Sequence, residues 1–201
     1  DLHLGKRVFE YSMIAEQRVI LDQALEMAKA ADVTVIAGDI YDRQVPPAEA
    51  VSLFDSFLTR MNVQGSPVLL VAGNHDSAER MAFGARLMEG KGIHLSPVYD
   101  GSPEPVTLTD CYGNVDIYML PYIRPVHVRH FLPEEEKEEI VSYDSAIRKA
   151  VEKMGIDTSR RNVLITHQFV TGALRSESED VNVGGLDNVD ASAFDIFDYT
   201  A

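Results

Sequence analysis

The chain has 201 residues, 45% of them apolar and 25% charged, and a formal net charge of −14. That field repels polyanions, which argues against a general nucleic-acid coat protein but leaves room for an enzyme that holds phosphates through bound cations. Cys111 is the one cysteine, so an intrachain disulfide and a thiolate metal cluster are both excluded.

A reducing, cytoplasmic setting is expected from that cysteine usage. No apolar run approaches the roughly 18 residues of a membrane span, so no membrane association is expected, and no secretion signal is visible. The first residue is Asp1 rather than Met, so the chain reads as a piece of a longer one.

Residues 13–31 carry Ile14, Leu21, Leu25 and Ala28 on one apolar helical stripe. "VTVIAGD" (33–39) reads as a short β-branched strand ending in Gly-Asp. A second helix is expected over 47–62, with Pro47 in its first turn and Val51, Phe54, Leu58 and Met61 sharing a face. "PVLLVAGNHD" (67–76) supplies a buried strand, and a helix from about Ser77 to Leu87 follows. This alternation predicts an α/β layered fold. Next, "EPVTLTD" (104–110) and "NVDIYMLPY" (114–122) flank "CYG" as a hairpin pattern. A charged helix is expected from Pro133 to about Met154, its acidic first turn matching the positive helix end. "RNVLITHQF" (161–169) is a strand ending in His167, and Gly172 to Val189 reads as a loop.

Four short pieces then line up: Asp1 and His3 in "DLHLGK", Asp39 in "AGDIYDR", Asn74, His75 and Asp76 in "AGNHDS", and His167 in "ITHQF". Three of them follow an apolar strand at its C-terminal end, the edge where open α/β sheets place their sites. Hard oxygen donors mixed with imidazole suit Mn²⁺, Fe²⁺ or Zn²⁺, and two such ions roughly 3.5–4 Å apart form a clamp for phosphoryl chemistry. A carboxylate bridges two ions most easily, and Asp39 is the best candidate for it.

In order and spacing these pieces resemble the calcineurin-like metallophosphoesterases, whose pattern runs Asp-x-His, Gly-Asp, Gly-Asn-His-Asp/Glu, a strand-end His and Gly-His-x-His. The fuller stretches "DLHLGK", "GDIYDR", "GNHDSAER", "THQFVTG" and "VGGLDN" are similar to the bacterial SbcD-type nuclease subunits, from Asp1 to about Tyr199. The resemblance implies two β-sheets packed together and flanked by helices. It implies two divalent ions, Mn²⁺ foremost, one held by Asp1, His3 and Asp39 and the other by Asp39, Asn74 and His167. It sets His75 at the scissile phosphate, stabilising or protonating the leaving oxygen, with Asp76 orienting His75. Asp42 stands where archaeal and eukaryotic relatives carry a histidine, and gains no catalytic role.

The implied activity is an ATP-dependent DNA exonuclease and hairpin endonuclease in repair and recombination, a homodimer working with an SbcC-type ATPase. Residues 1–201 would be its nuclease core, with a first strand before Asp1, and the Gly-His-x-His segment and a capping region after Ala201.

Two other readings compete. One is a metallophosphoesterase for small phosphodiesters or phosphomonoesters, which the same ions would serve; the other is a non-catalytic scaffold. Taken singly, Asp76 caps the next helix as well as it orients His75, with Glu79 three residues on. Asn74 alone is a turn residue, Asp39 alone a strand-end turn and His167 alone a core histidine. His94, His127 and His130 read as surface or packing residues, and "PEEEKEE" as a solvated helix face. The acids Glu177, Glu179, Asp180, Asp187 and Asp190 read as a solvated loop first, and otherwise as a cleft lining or a partner contact. Arg43 and Arg80 are phosphate contacts or salt bridges, and Phe9 and Tyr11 beside Lys6 and Arg7 are candidates to stack on DNA.

Overall fold

Val68, Leu69, Leu70 and Val71 are completely buried because their strand lies in the middle of a parallel sheet. The computed structural model describes residues 1–171 and 187–201. The chain divides into two units, Asp1–Val98 and Tyr99–Ala201, each with its own apolar core.

The first unit opens with a small antiparallel hairpin, β1 (Arg7–Val8) and β2 (Tyr11–Ser12). Then come α1 (Ile14–Ala28), β3 (Thr34–Ala37), α2 (Ala48–Gln64), β4 (Val68–Val71), the short helices α3 (Ala78–Met81) and α4 (Ala85–Glu89), and β5 (Ile93–Leu95). The strand order β3-β4-β5 is parallel throughout, with Thr34 opposite Val68 and Val68 opposite Ile93. Leu21, Leu25 and Ala28 of the expected α1 stripe enter the core, and Ile14 packs against it.

Three expectations need correction here. Val51 is exposed, and the buried face of α2 is Ala50, Leu53, Phe54, Phe57, Leu58 and Met61; Pro47 sits just before the helix, as its cap. The helix expected over 77–87 breaks into α3 and α4 because Gly84, at φ 78°, turns the chain left-handed between them. The cap of α3 is Ser77, whose hydroxyl accepts from the Arg80 N–H at 3.4 Å, so Asp76 is not the cap.

In the second unit, β6 (Val106–Asp110) and β7 (Gly113–Leu120) form the expected hairpin. The helices α5 (Pro125–His130), α6 (Glu134–Lys137) and α7 (Tyr143–Lys153) lead to β8 (Arg161–Thr166). Val170–Thr171 (β9) pairs parallel with Val189–Asp190 (β10), and Tyr199–Thr200 (β11) pairs parallel with β8. The sheet order is β11-β8-β7-β6. The charged helix expected over 133–154 is two helices. Ser142 and Ser145 cap each other's backbone at the start of α7, and Ile140 is buried in the intervening turn. The short helix α5, entered through Pro125, has too few turns to show a periodic stripe. No helix among the described residues is long and apolar enough to cross a membrane.

Candidate active site

Three backbone segments of the first unit meet at the C-terminal ends of β3 and β4. The first is Asp1–Gly5. The N–H groups of Leu2 and His3 both donate to the Asp39 carbonyl, at 2.8 and 2.9 Å, and the Leu4 N–H donates to the Ile40 carbonyl at 2.9 Å. The second follows β3, where Asp39 takes φ 43° after Gly38 at φ 80°. The third follows β4 and carries Asn74, His75 and Asp76.

Asp39 is the hub. It is buried, its Oδ1 accepts the His75 backbone N–H at 2.9 Å, and its Oδ2 lies 3.7 Å from His3 Nε2 and 4.0 Å from His75 Nε2. The His3 and His75 rings stand edge to face with centroids 5.0 Å apart. One ligand atom from each of His3, Asp39 and His75 lies within 4.8 Å of the others. A carboxylate oxygen and two imidazole nitrogens at that spacing fit a divalent transition ion. Burial pushes the His3 imidazole below its ordinary value, against the opposing pull of Asp39, which favours the neutral ring that ligates a metal.

Gly73 is obligatory for this geometry. A Cβ there would lie 2.1 Å from Asp39 Oδ1 and 2.3 Å from its backbone nitrogen. The glycine of "GNHD" is thus a packing requirement of Asp39 rather than a turn requirement.

Asp76 serves the backbone. Its Oδ2 accepts from the N–H groups of Ile40 (3.0 Å) and Gly73 (2.9 Å), and its Oδ1 from Tyr41 N–H (2.9 Å). It buckles the segment after β3 to the segment after β4. Burial raises its carboxyl above the usual range, while these three N–H donors pull it back. Burial, with Asp76 and Asp55 nearby, also pushes the Tyr41 phenol up to about 12. The His75 ring is held by the Asp42 carbonyl, 3.1 Å from Nδ1. A carbonyl only accepts, so Nδ1 carries a proton and Nε2 is the working nitrogen.

Asn74 is half-buried directly after β4, and Asp1 is exposed at the start of its segment. His167 follows β8 directly, half-buried in the second unit. His94 lies on β5; on α5, His127 Nδ1 accepts from the Arg124 N–H at 3.2 Å and His130 packs edge-on to Phe131. Arg43 pairs with Asp42 at 3.6 Å. Phe9 is exposed at the hairpin tip with φ 53°, and the Tyr11 hydroxyl donates to Glu16 at 3.3 Å. Glu177, Glu179 and Asp180 lie outside the described residues. Asp190 caps the turn that follows it, through Ser192 N–H at 2.9 Å.

Sequence reasoning missed the Asp42 carbonyl, which no side-chain pattern announces, and Gln17, whose amide meets the backbone of residues 2, 3 and 5. Gln17 did leave a signal, a polar residue on the apolar stripe between Ile14 and Leu21.

The pattern described as calcineurin-like phosphoesterase matches residues 1–188. The SbcD subunit of nuclease SbcCD from Staphylococcus saprophyticus subsp. saprophyticus is 32% identical over 204 residues, an alignment covering 98% of this chain and 52% of that protein. The chain therefore spans about half the length of this curated relative. With residues 1–188 matched and the Asp39-centred group at the strand ends, the chain belongs to the calcineurin-like phosphoesterase family.

Proposed function

We propose that this chain is the catalytic part of a metal-dependent DNA phosphodiesterase, an SbcD-type nuclease subunit that processes duplex ends and hairpins with an SbcC-type ATPase. The observation that carries the reading is the buried Asp39 carboxylate facing His3 and His75 nitrogens within 4.0 Å. Support comes from the 32% identity to a protein named as the nuclease subunit. Asp1, His3 and Asp39 would hold one ion, and Asp39, Asn74 and His167 the second, with Mn²⁺ the proposed metal. Bound ions would activate a water and neutralise charge on the phosphate oxygens. His75, fixed through Nδ1, would stabilise or protonate the leaving oxygen through Nε2. Asp76 would maintain that geometry through the backbone it buckles.

The chain would act as a homodimer, with α1 and α2 as the contact elements that the family resemblance offers.

The test compares linear duplex DNA with bis-p-nitrophenyl phosphate, each with Mn²⁺ and with EDTA. Mn²⁺-dependent cleavage of both supports the nuclease; cleavage of the small ester alone points to a small-phosphoester enzyme. His167→Ala should lower Mn²⁺ stoichiometry, and an unchanged ion count would remove His167 from the ligand set. The net charge of −14 also predicts weak DNA binding by this chain alone, with affinity coming from metals and partner. Tight binding at moderate salt would contradict that account.

A further inference from the structure

Gln17 stands on the core-facing stripe of α1, where the spacing asks for an apolar residue. A half-buried carboxamide is tolerated there only with its polar atoms occupied. One short stretch of backbone occupies them. Oε1 accepts from the Gly5 N–H at 3.0 Å, while Nε2 donates to the His3 carbonyl at 2.7 Å and the Leu2 carbonyl at 3.3 Å. The amide has only one possible orientation: an N–H must meet the oxygen, and two carbonyls must meet the NH₂.

The other edge of the same backbone is bonded to the end of β3, where the Leu2 and His3 N–H groups both reach the Asp39 carbonyl. His3 is therefore gripped from two sides. It holds φ 44°, a left-handed conformation that a bulky residue keeps only when its surroundings over-determine it.

We infer that Gln17 is a positioning residue for the metal-ligand segment, holding the left-handed turn at His3 that brings Nε2 to 3.7 Å from Asp39 Oδ2. The inference rests on the reading of His3 and Asp39 as ligands. Gln17 acts through the His3 backbone and contacts neither ion nor substrate. Its amide is needed in full: Gln17→Glu would keep the acceptor for Gly5 and set a carboxylate oxygen against two carbonyls.

The experiment uses Gln17→Leu and Gln17→Met in the full-length protein. Both complete the apolar stripe with good helix formers, so α1 keeps its packing. Three quantities are measured: the metal-free unfolding midpoint, Mn²⁺ affinity by titration calorimetry, and the His3 Cα shift and HN–Hα coupling in the metal-free protein. The expected result is a midpoint lowered by the orphaned Gly5 N–H, together with Mn²⁺ affinity lower by about 10–100-fold, as for other outer supports of metal ligands, and loss of the left-handed signature at His3. A merely structural role would lower the midpoint and leave affinity and His3 unchanged, which overturns the inference. Failure of both variants to fold overturns it as well. Wild-type Mn²⁺ affinity in both variants, with affinity lost in His3→Ala, overturns the role of Gln17 and leaves the metal site standing. Wild-type affinity in His3→Ala overturns the ligand reading and the inference with it.

Discussion

Gly73→Ala tests the mounting of Asp39 most directly. The added Cβ would lie 2.1 Å from Asp39 Oδ1, 2.3 Å from its nitrogen and 2.8 Å from its Cγ, whereas real Cβ contacts essentially never fall under 3.0 Å. Two of the three clashing atoms belong to a side chain, but that side chain has little freedom. Asp39 Oδ1 accepts the His75 N–H, and the Asp39 carbonyl receives two N–H groups from the first segment. Relief therefore moves backbone by about 1 Å, and overpacking of this kind costs up to about 3 kcal/mol. In a chain of 201 residues that corresponds to a melting point lower by roughly 6–12 °C. If the loop yields instead, the displacement falls on the site, where an error of about 1 Å costs roughly 10²-fold in rate. Calorimetry, with Mn²⁺-dependent hydrolysis of bis-p-nitrophenyl phosphate, reads both routes. A variant that melts within about 1 °C of wild type and hydrolyses at the wild-type rate would refute the argument.

Asp76→Asn retains shape but turns an NH₂ toward at least one of the three backbone donors, Ile40, Tyr41 or Gly73. The loss should be about 1–3 kcal/mol, measured as a lower urea midpoint, and an unmoved midpoint would contradict the buckle. His75→Ala should keep the Mn²⁺ stoichiometry and lose about 10²–10⁴-fold in rate; loss of an ion would make His75 a ligand instead. Across the second sheet, the Arg161 guanidinium beside Asp110 lowers its carboxyl to about 2. Because this folded-state value is depressed, the pair's contribution is present above the ordinary carboxylate range and is lost as pH falls through about 2. Carboxyl NMR should follow that titration and show it moving up toward the ordinary range in Arg161→Ala, with the Tyr112 N–H still holding it partly down.

The strands that carry the site were legible because each is a short apolar run cut off by Gly-Asp, Gly-Asn or a histidine; only β4 is buried along its whole length, whereas Val35 of β3 is exposed. The helices were legible only where a stripe persisted. Gly84 and the Ser142–Ser145 cap cut apparent long helices in two, and turn chemistry of that kind outweighs composition. The candidate residues could be chosen from sequence, but not the contacts between them. Nothing in "GNHDS" says that its last acid bonds three backbone N–H groups rather than a helix end or an imidazole. The failure has a physical source. Capping and buckling both need a short carboxylate beside free N–H groups, and only the third dimension says which N–H groups those are.

The same contacts explain why the strained conformations at His3 and Asp39 survive. A left-handed φ on such residues costs on the order of 1 kcal/mol or more each, and both adjoin one peptide. That peptide is fixed by the Asp39 carbonyl receiving two N–H groups, by Asp39 Oδ1 receiving the His75 N–H, and by the Gly73 surface that closes on it. The outcome divides the carboxylate between two tasks. Oδ1 belongs to the scaffold, and Oδ2 faces the imidazoles of His3 and His75. An ion entering this group therefore meets an oxygen whose position is already set by backbone hydrogen bonds, and binding it need not reorganise the carboxylate. Asp39→Asn should separate the two tasks. It keeps an oxygen for the His75 N–H and so preserves the fold, while the amide nitrogen turned toward the imidazoles abolishes Mn²⁺ binding. Calorimetric Mn²⁺ binding at wild-type strength in a folded Asp39→Asn variant would show that Oδ2 is not where the cation sits.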